Sequence, residues 1–297
     1  MRTSVIISTF DKPHYLARTL AGMGAQRHAP DEVLIADDGS GEATRETIRR
    51  FRDSVPFSVV HVRQEHKGWR KCRVMNACLK ESSGDYILFT DGDCIHRADW
   101  IAAHVRFAKP GRFLSGGDLR LNRAVTERIT EDDVATGRAF KPGWLLSNGM
   151  KWRRTMVKVL TPTVIAPAVD WINFTAARFG GSNASCWRAD ALRVGGFDER
   201  FGWGKGDAEM GQRLRNLGLR GRHLRYNAIC LHLDHERDVV PPGSFERNLE
   251  MLAEVKRSGR TGAILGLEQT GDDFAVESTT IPWRPGNTDQ KPALQSA

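Results

Sequence analysis

The chain has 297 residues, 40% hydrophobic and 27% charged, the balance of a globular protein rather than a disordered, collagen-like or coiled-coil one. No apolar run of roughly 18 residues occurs, so no helix is expected to cross a bilayer. The net charge is +8, and six of those eight charges fall in Val134–Val169, which holds Arg138, Lys141, Lys151, Arg153, Arg154 and Lys158 and no acid. Such a local excess implies an anionic partner: nucleic acid, acidic lipid or a phosphorylated substrate. The opening residues MRTSVIISTFDKPHYL break after a short apolar stretch and do not form a signal peptide, so a cytoplasmic protein is expected. Five cysteines (Cys72, Cys78, Cys94, Cys186, Cys230) with no C-x-x-C predict buried thiols in a reducing compartment rather than disulfides or a zinc site.

In chain order, Thr3–Ser8 is a β-branched run and predicts a buried strand. Pro13–Ala25 predicts a helix with Leu16, Leu20 and Met23 at helical spacing and proline at its first position. Glu32–Ala36, Phe57–Val62 and Tyr86–Thr90 predict three more strands, separated by helices over Glu42–Phe51 and Arg70–Lys80, with Gly84 just past the second. This alternation means βαβ units and a parallel sheet. The second half predicts a helix over Ala98–Phe107, a strand over Arg112–Ser115, and a helix over Ala208–Leu217 with Asp207 as N-cap and Gly218 at its end. A last helix covers Ser244–Lys256, and from Thr270 a tail with Pro282, Pro285 and Pro292 reads as mobile.

Ligands of such sheets bind outside the carboxyl ends of the strands. Two of those ends carry paired acids, Asp37–Asp38 and Asp91-Gly92-Asp93. Carboxylates gathered at one sheet edge suit a divalent cation, which can carry the phosphates of a nucleotide; an isolated Asp-x-Asp is equally at home in a solvated turn.

The segments SVIISTF, VLIADDGS, GWRKCRVMNACL and GDYILFTDGDC resemble the nucleotide-sugar half of family 2 glycosyltransferases of GT-A fold. GGFDERFGWGKGDAEMGQRLR resembles the catalytic segment of bacterial family 2 enzymes, chondroitin polymerase and animal β-1,4-galactosyltransferases, and HLDHERD their downstream histidine motif. The resemblance implies an α/β fold with a Rossmann-like, mainly parallel sheet. It implies one catalytic domain over residues 1–260, divided into a nucleotide half (1–95) and an acceptor half (96–260), before a tail (261–297). By position it implies Thr9 and Asp38 at uracil and ribose, Arg70 or Arg73 near base or phosphates, and Asp91 on the ribose or sugar side. Asp93 and His235 would hold the metal, with His232 the competing histidine. Asp207 would be the general base, and Trp203 would stack on a sugar.

Inverting transfer from a UDP-sugar needs a base for the acceptor hydroxyl, a dication for the departing diphosphate and in-line positioning. A histidine among carboxylates favours Mn²⁺ over Mg²⁺. One departure stands out: the family reads Glu-Asp where this chain has Gly206-Asp207, which raises Glu209 as a substrate-contacting residue or substitute base. Two rival readings are a sugar nucleotidyltransferase, which wants a glycine-rich loop where STFDKPHY stands, and a non-catalytic sugar-nucleotide-binding module. A nucleic-acid binder ranks last, because the aromatics do not form a base-stacking platform. If Leu145–Leu160 is one helix, Lys151, Arg154 and Lys158 share a face opposite Leu145, Trp152 and Met156, with Trp144 close by, which suits peripheral contact with an anionic membrane carrying a lipid-linked acceptor.

Overall fold

Val5, Ile6 and Ile7 are wholly buried, and strand β1 (Thr3–Thr9) is covered on both faces, as a central parallel strand must be. In the structure, a computed structural model describing residues 1–172, 175–236 and 242–279, β1 lies between β2 (Glu32–Asp37) and β4 (Tyr86–Asp91), with β3 (Ser58–Arg63) beyond β2, all parallel. Helices α1 (Pro13–Gly24), α2 (Glu42–Ser54) and α3 (Lys71–Glu81) make the crossovers. The first ninety residues thus form the predicted parallel unit.

The second half extends that sheet in mixed sense. It holds β5 (Cys94–His96), α4 (Trp100–Phe107) and β6 (Arg112–Arg120). Short helices follow: α5 (Arg123–Arg128), α6 (Glu131–Ala135), α7 (Pro142–Ser147), α8 (Val157–Leu160) and α9 (Ala166–Trp171). Then come β7 (Ala184–Trp187), α10 (Arg188–Arg193), α11 (Gly206–Asn216), β8 (Arg220–His232), α12 (Ser244–Ser258) and β9 (Ala275–Thr279). The strand order is β5-β8-β6-β7-β4-β1-β2-β3-β9, with β7 antiparallel to both β4 and β6, β5 antiparallel to β8, and β9 antiparallel to β3. One face buries Phe89, Phe179, Phe197 and Met210 beneath α3 and α11. The other buries Leu16, Leu20 and Trp100 beneath α1, α2 and α4.

Gly84 lies just past α3, and its α-carbon is so close to β1 that an added Cβ would meet Ser4 N at 2.7 Å. Three expectations are corrected. Asp207 is not the N-cap of α11. Lys205 is, at φ 72°, which puts Asp207 second in the helix. Leu145–Leu160 is not one helix, because the chain turns after α7 at Gly149, in a left-handed conformation (φ 100°). The tail is ordered through Thr279: Lys80 Nζ donates to Thr270 O, and β9 continues the sheet. Its three prolines lie outside the described residues.

Candidate active site

The ends of β1, β2 and β4 open into a cleft of about 800 Å³. Thr9, Asp38, Asp91 and Asp93 line it from this side, Asp207, Trp203 and Phe245 from the other, and His232 and His235 from a third. Asp38 is held in place by three contacts: its N–H donates to Thr9 O (3.1 Å), its Oδ2 accepts Arg70 N–H (2.9 Å), and its Oδ1 accepts the Gln64 amide. Burial pushes its carboxyl above the usual range, beyond what those hydrogen bonds recover. Its neighbour Asp37 turns away to His61 Nε2 (2.9 Å) and Ser40 N–H (2.8 Å), so only one acid of that pair reaches the cleft.

The basic residues of α3 sort by helix geometry. Lys71 and Arg73, two positions apart, point about 200° from each other. Lys71 faces the cleft and forms an ion pair with Asp91 Oδ1, which also accepts Ser8 Oγ–H (2.8 Å). Burial would lower its pKa, but Asp91, with Asp207 and Asp93 farther off, raises it and keeps the ammonium charged. Arg73 is on the far side, paired with Asp273 and lying 4.3 Å from the Phe274 ring centroid. The Arg70 guanidinium bonds Glu65 O. Neither guanidinium lines the cleft, though the Arg70 N–H stands at its edge on Asp38.

Asp93 sits where β5 pairs with the end of β8, which brings both histidines to it. His235 Nε2 is 2.8 Å from Asp93 Oδ2, and His232 Nε2 is 3.7 Å from Oδ1. Burial would raise the Asp93 carboxyl, but the hydrogen bond from His235 and the charges of both imidazoles hold it well below the usual range. Asp93 in turn raises His235. The Nδ1 of His235 is 2.8 Å from Glu236 O, the outward hydrogen bond that orients a metal-ligating imidazole. Cys94 Sγ lies within reach of Asp93 and His232, and a hydrogen bond with Cys230 and its own burial push the thiol pKa far up. One carboxylate from the β4–β5 turn and two imidazoles from the end of β8 and the residues after it suit a divalent ion of intermediate softness.

Asp207 is fixed by backbone. Oδ2 accepts Gly181 N–H (2.7 Å) and Oδ1 accepts Ala208 N–H (2.8 Å). Gly181 sits where the charges meet: a Cβ there would lie 3.3 Å from Lys71 Nζ, 3.6 Å from Asp91 and 3.7 Å from Asp207. Trp203 stands half-buried beside Phe245, their rings 6.1 Å apart, and Asn248 clamps its turn by donating to Trp203 O and Gly204 O. Glu209 is not in the cleft. It is fully buried in a two-pronged ion pair with Arg213 (2.8 Å each), because two positions along α11 from Asp207 a side chain faces the core.

A family model described as glycosyl transferase family 2 matches residues 4–144, and one described as the N-terminal domain of galactosyltransferase matches residues 162–236. The chain therefore contains a family 2 glycosyltransferase region. It is similar to validoxylamine A glucosyltransferase of Streptomyces hygroscopicus subsp. limoneus, 29% identical over 229 residues, which cover 73% of this chain and 48% of that protein. It is also similar to chondroitin synthase of Escherichia coli, 26% identical over 260 residues, 81% of this chain and 35% of that one. The glycosyltransferase therefore spans about half or less of the length of these relatives. Among solved structures, a Pyrobaculum calidifontis mannosyltransferase in complex with GDP-Man and Mn²⁺ shares the fold with a TM-score of 0.54 at 19% identity, covering 87% of this chain and 70% of that one. S. aureus TarS 1–349 in complex with UDP-GlcNAc shares it with a TM-score of 0.55 at 16% identity, covering 86% and 66%. The fold of this glycosyltransferase is thus GT-A.

Three cleft residues escape sequence reading. Lys71 lies inside the quoted GWRKCRVMNACL segment, but only helical phase shows that it, not the arginines, faces the acids. Gly181 ends a glycine pair with no local signature of a carboxylate partner, and Phe245 comes from α12, 42 positions after Trp203 in the numbering.

Proposed function

We propose that this family 2 glycosyltransferase moves a hexose from a UDP-sugar to a saccharide hydroxyl with inversion at the anomeric carbon. The observation that carries the reading is Asp207: both carboxylate oxygens are held by backbone N–H groups, and the side chain lines the same cleft as Asp91 and Asp93. Asp207 takes the proton of the acceptor hydroxyl as that oxygen bonds to the anomeric carbon, and the bond from that carbon to the diphosphate oxygen breaks with its electron pair leaving on UDP. A base fixed on both oxygens loses little entropy in reaching the hydroxyl. Thr9 and Asp38 receive the uracil and ribose, Asp91 the ribose or sugar side, and Trp203 with Phe245 a sugar face. The donor set around Asp93 fits Mn²⁺ or Mg²⁺, held by Asp93 and His235 with His232 adjoining, and such an ion would stabilise the charge of the leaving diphosphate.

The catalytic segment around GWGKGD favours UDP-galactose or UDP-N-acetylgalactosamine as donor. We assign the nucleotide to residues 1–95 and the acceptor to residues 96–260 of one catalytic domain. The acceptor is a growing polysaccharide or a lipid-linked saccharide, and the enzyme works in the cytoplasm, at the inner membrane face. UDP release against a panel of UDP-sugars, with and without Mn²⁺, tests the reading. Release should depend on the metal and on one donor, and Asp207→Asn should lower kcat by roughly 10²–10⁴ while leaving UDP affinity nearly unchanged. Near-normal turnover in that variant would remove Asp207 as base. Metal-independent release would remove the Asp93–His235 site.

A further inference from the structure

Of the fourteen large apolar side chains that stand most exposed among the described residues, eight fall between Leu146 and Ile172, about a tenth of the chain. Val164 is 88% exposed, Trp171 79% and Trp152 60%. Monomeric proteins scatter such residues singly, and a cluster of this size marks a contact surface. The segment is not loose, because its inward side chains are all engaged. Met156 and Ala166 are buried, Lys158 donates to Asp118 O on β6, and the Asp170 carboxylate accepts the N–H groups of Tyr226 (2.9 Å) and Asn227 (3.1 Å) on β8. Anchoring these four leaves Trp152, Val157, Leu160, Val164, Ile165 and Trp171 to face outward.

The charge around them has one sign. Lys151, Arg153 and Arg154 are exposed, and no described carboxylate pairs with any of them. Lys158 drops out of the expected basic face, since it is buried beside Asp118, and Arg138 is paired with Asp132 and Asp133. A second copy of the chain, docked by a two-fold axis, would set these cations against their own images. An anionic lipid surface instead accepts both components, apolar chains below the headgroups and guanidinium and ammonium groups among the phosphates, with tryptophan at the boundary.

We infer that the face from Trp152 to Ile172 seats this enzyme on an anionic bilayer, with Trp152, Val164 and Trp171 inserted and Lys151, Arg153 and Arg154 at the phosphates. The face is tied through Lys158 to Asp118 on β6, two positions before Arg120, which lines the cleft. The inference deepens the membrane placement proposed above and is tested without donor or acceptor, so its failure leaves the transferase reading standing.

The test is co-sedimentation of the full chain with phosphatidylcholine vesicles, with and without phosphatidylglycerol, at low and physiological salt. Binding should need phosphatidylglycerol and weaken with salt. Changing Lys151, Arg153 and Arg154 together to Ser should lower it at least about tenfold, since each base near such a surface is worth about fivefold before screening. Trp152→Ser with Trp171→Ser should lower it comparably and abolish quenching of tryptophan fluorescence by brominated lipid. Because all five side chains are exposed, both variants should keep the wild-type Tm and UDP affinity. The inference is overturned if wild-type protein ignores anionic vesicles at low salt, or if the tryptophan changes leave binding intact. It is equally overturned if sedimentation shows a dimer that the tryptophan changes disperse while vesicles are ignored.

Discussion

Lys71 is the cation placed among the carboxylates of the cleft, which Lys12, Arg120, Arg178 and Lys205 also line. Asp38, Asp91, Asp93 and Asp207 all line it, and Lys71 is the cation that pairs with Asp91. Its direction is fixed by its partner, because the first residue of α3 reaches Asp91 at the end of β4. Replacing it by Met keeps most of the stem but leaves Asp91 facing other carboxylates. We expect UDP-sugar to bind about 10–100-fold more weakly, the scale of a lost charge-assisted hydrogen bond, with the Tm changed little because the ammonium borders solvent. Calorimetric titration with UDP decides this, and a dissociation constant within twofold of wild type would show that Lys71 only fills space. Arg73→Met, on the opposite side of the same helix, should lower stability through its lost contacts with Asp273 and Phe274, and weaken UDP less than Lys71→Met does, since it reaches Asp38 only through Gln64.

At the scale of elements, α11 explains the departure from the Glu-Asp pattern. Its first residue, Gly206, packs so closely on α3 that a Cβ would meet Cys72 Sγ at 2.7 Å and Phe201 Cβ at 3.3 Å. The space a glutamate would need is occupied by a buried thiol whose pKa burial pushes up to about 12, so it stays neutral. Gly206→Glu should therefore destabilise by about 1–3 kcal/mol through overpacking rather than add activity. Cys72→Ala in the same chain should recover part of the loss. Urea midpoints of the two variants are the measurement, and an unshifted midpoint for Gly206→Glu would mean that α11 can move away from α3. The same helix disposes of Glu209 as a substitute base, since Arg213 holds both its oxygens inside the core.

Across the whole molecule, a buried polar network joins the two halves of the sheet. Tyr86 OH and His104 Nδ1 both meet Ser185 Oγ (2.7 and 2.6 Å), and Trp100 Nε1–H donates to Asn183 Oδ1 (2.8 Å). Burial lowers His104 to about 4 and His96 well below its usual value, so both are neutral in the fold. The unfolded chain binds their protons from about pH 6.5 downward while the folded chain does not, so stability should fall as pH drops from about 6.5 to 4. For His104 alone the loss approaches roughly 3 kcal/mol. Denaturation at pH 7.5 and 5 checks this, and His104→Gln should show a flatter dependence than wild type. A wild-type stability independent of pH across that window would contradict the burial of neutral histidine. Local pattern determined the four parallel strands, the acids at their carboxyl ends and the glycine-flanked turn before Asp207, because β-branched runs, helical periods and turn residues act over a few positions. β7, β8 and β9 were illegible: β7 is four residues long, the first half of β8 (RGRHLR) carries arginine and histidine without a buried period, and β9 exists only by pairing with β3. Tertiary structure alone decided that Lys71 and not Arg73 enters the cleft, that both His232 and His235 meet Asp93, and that Lys158 turns inward while Trp152 turns out. Those outcomes depend on partners far along the chain, Arg73 on Asp273 and Lys158 on Asp118, and a side chain's direction is settled by the contact it reaches, not by its neighbours in sequence.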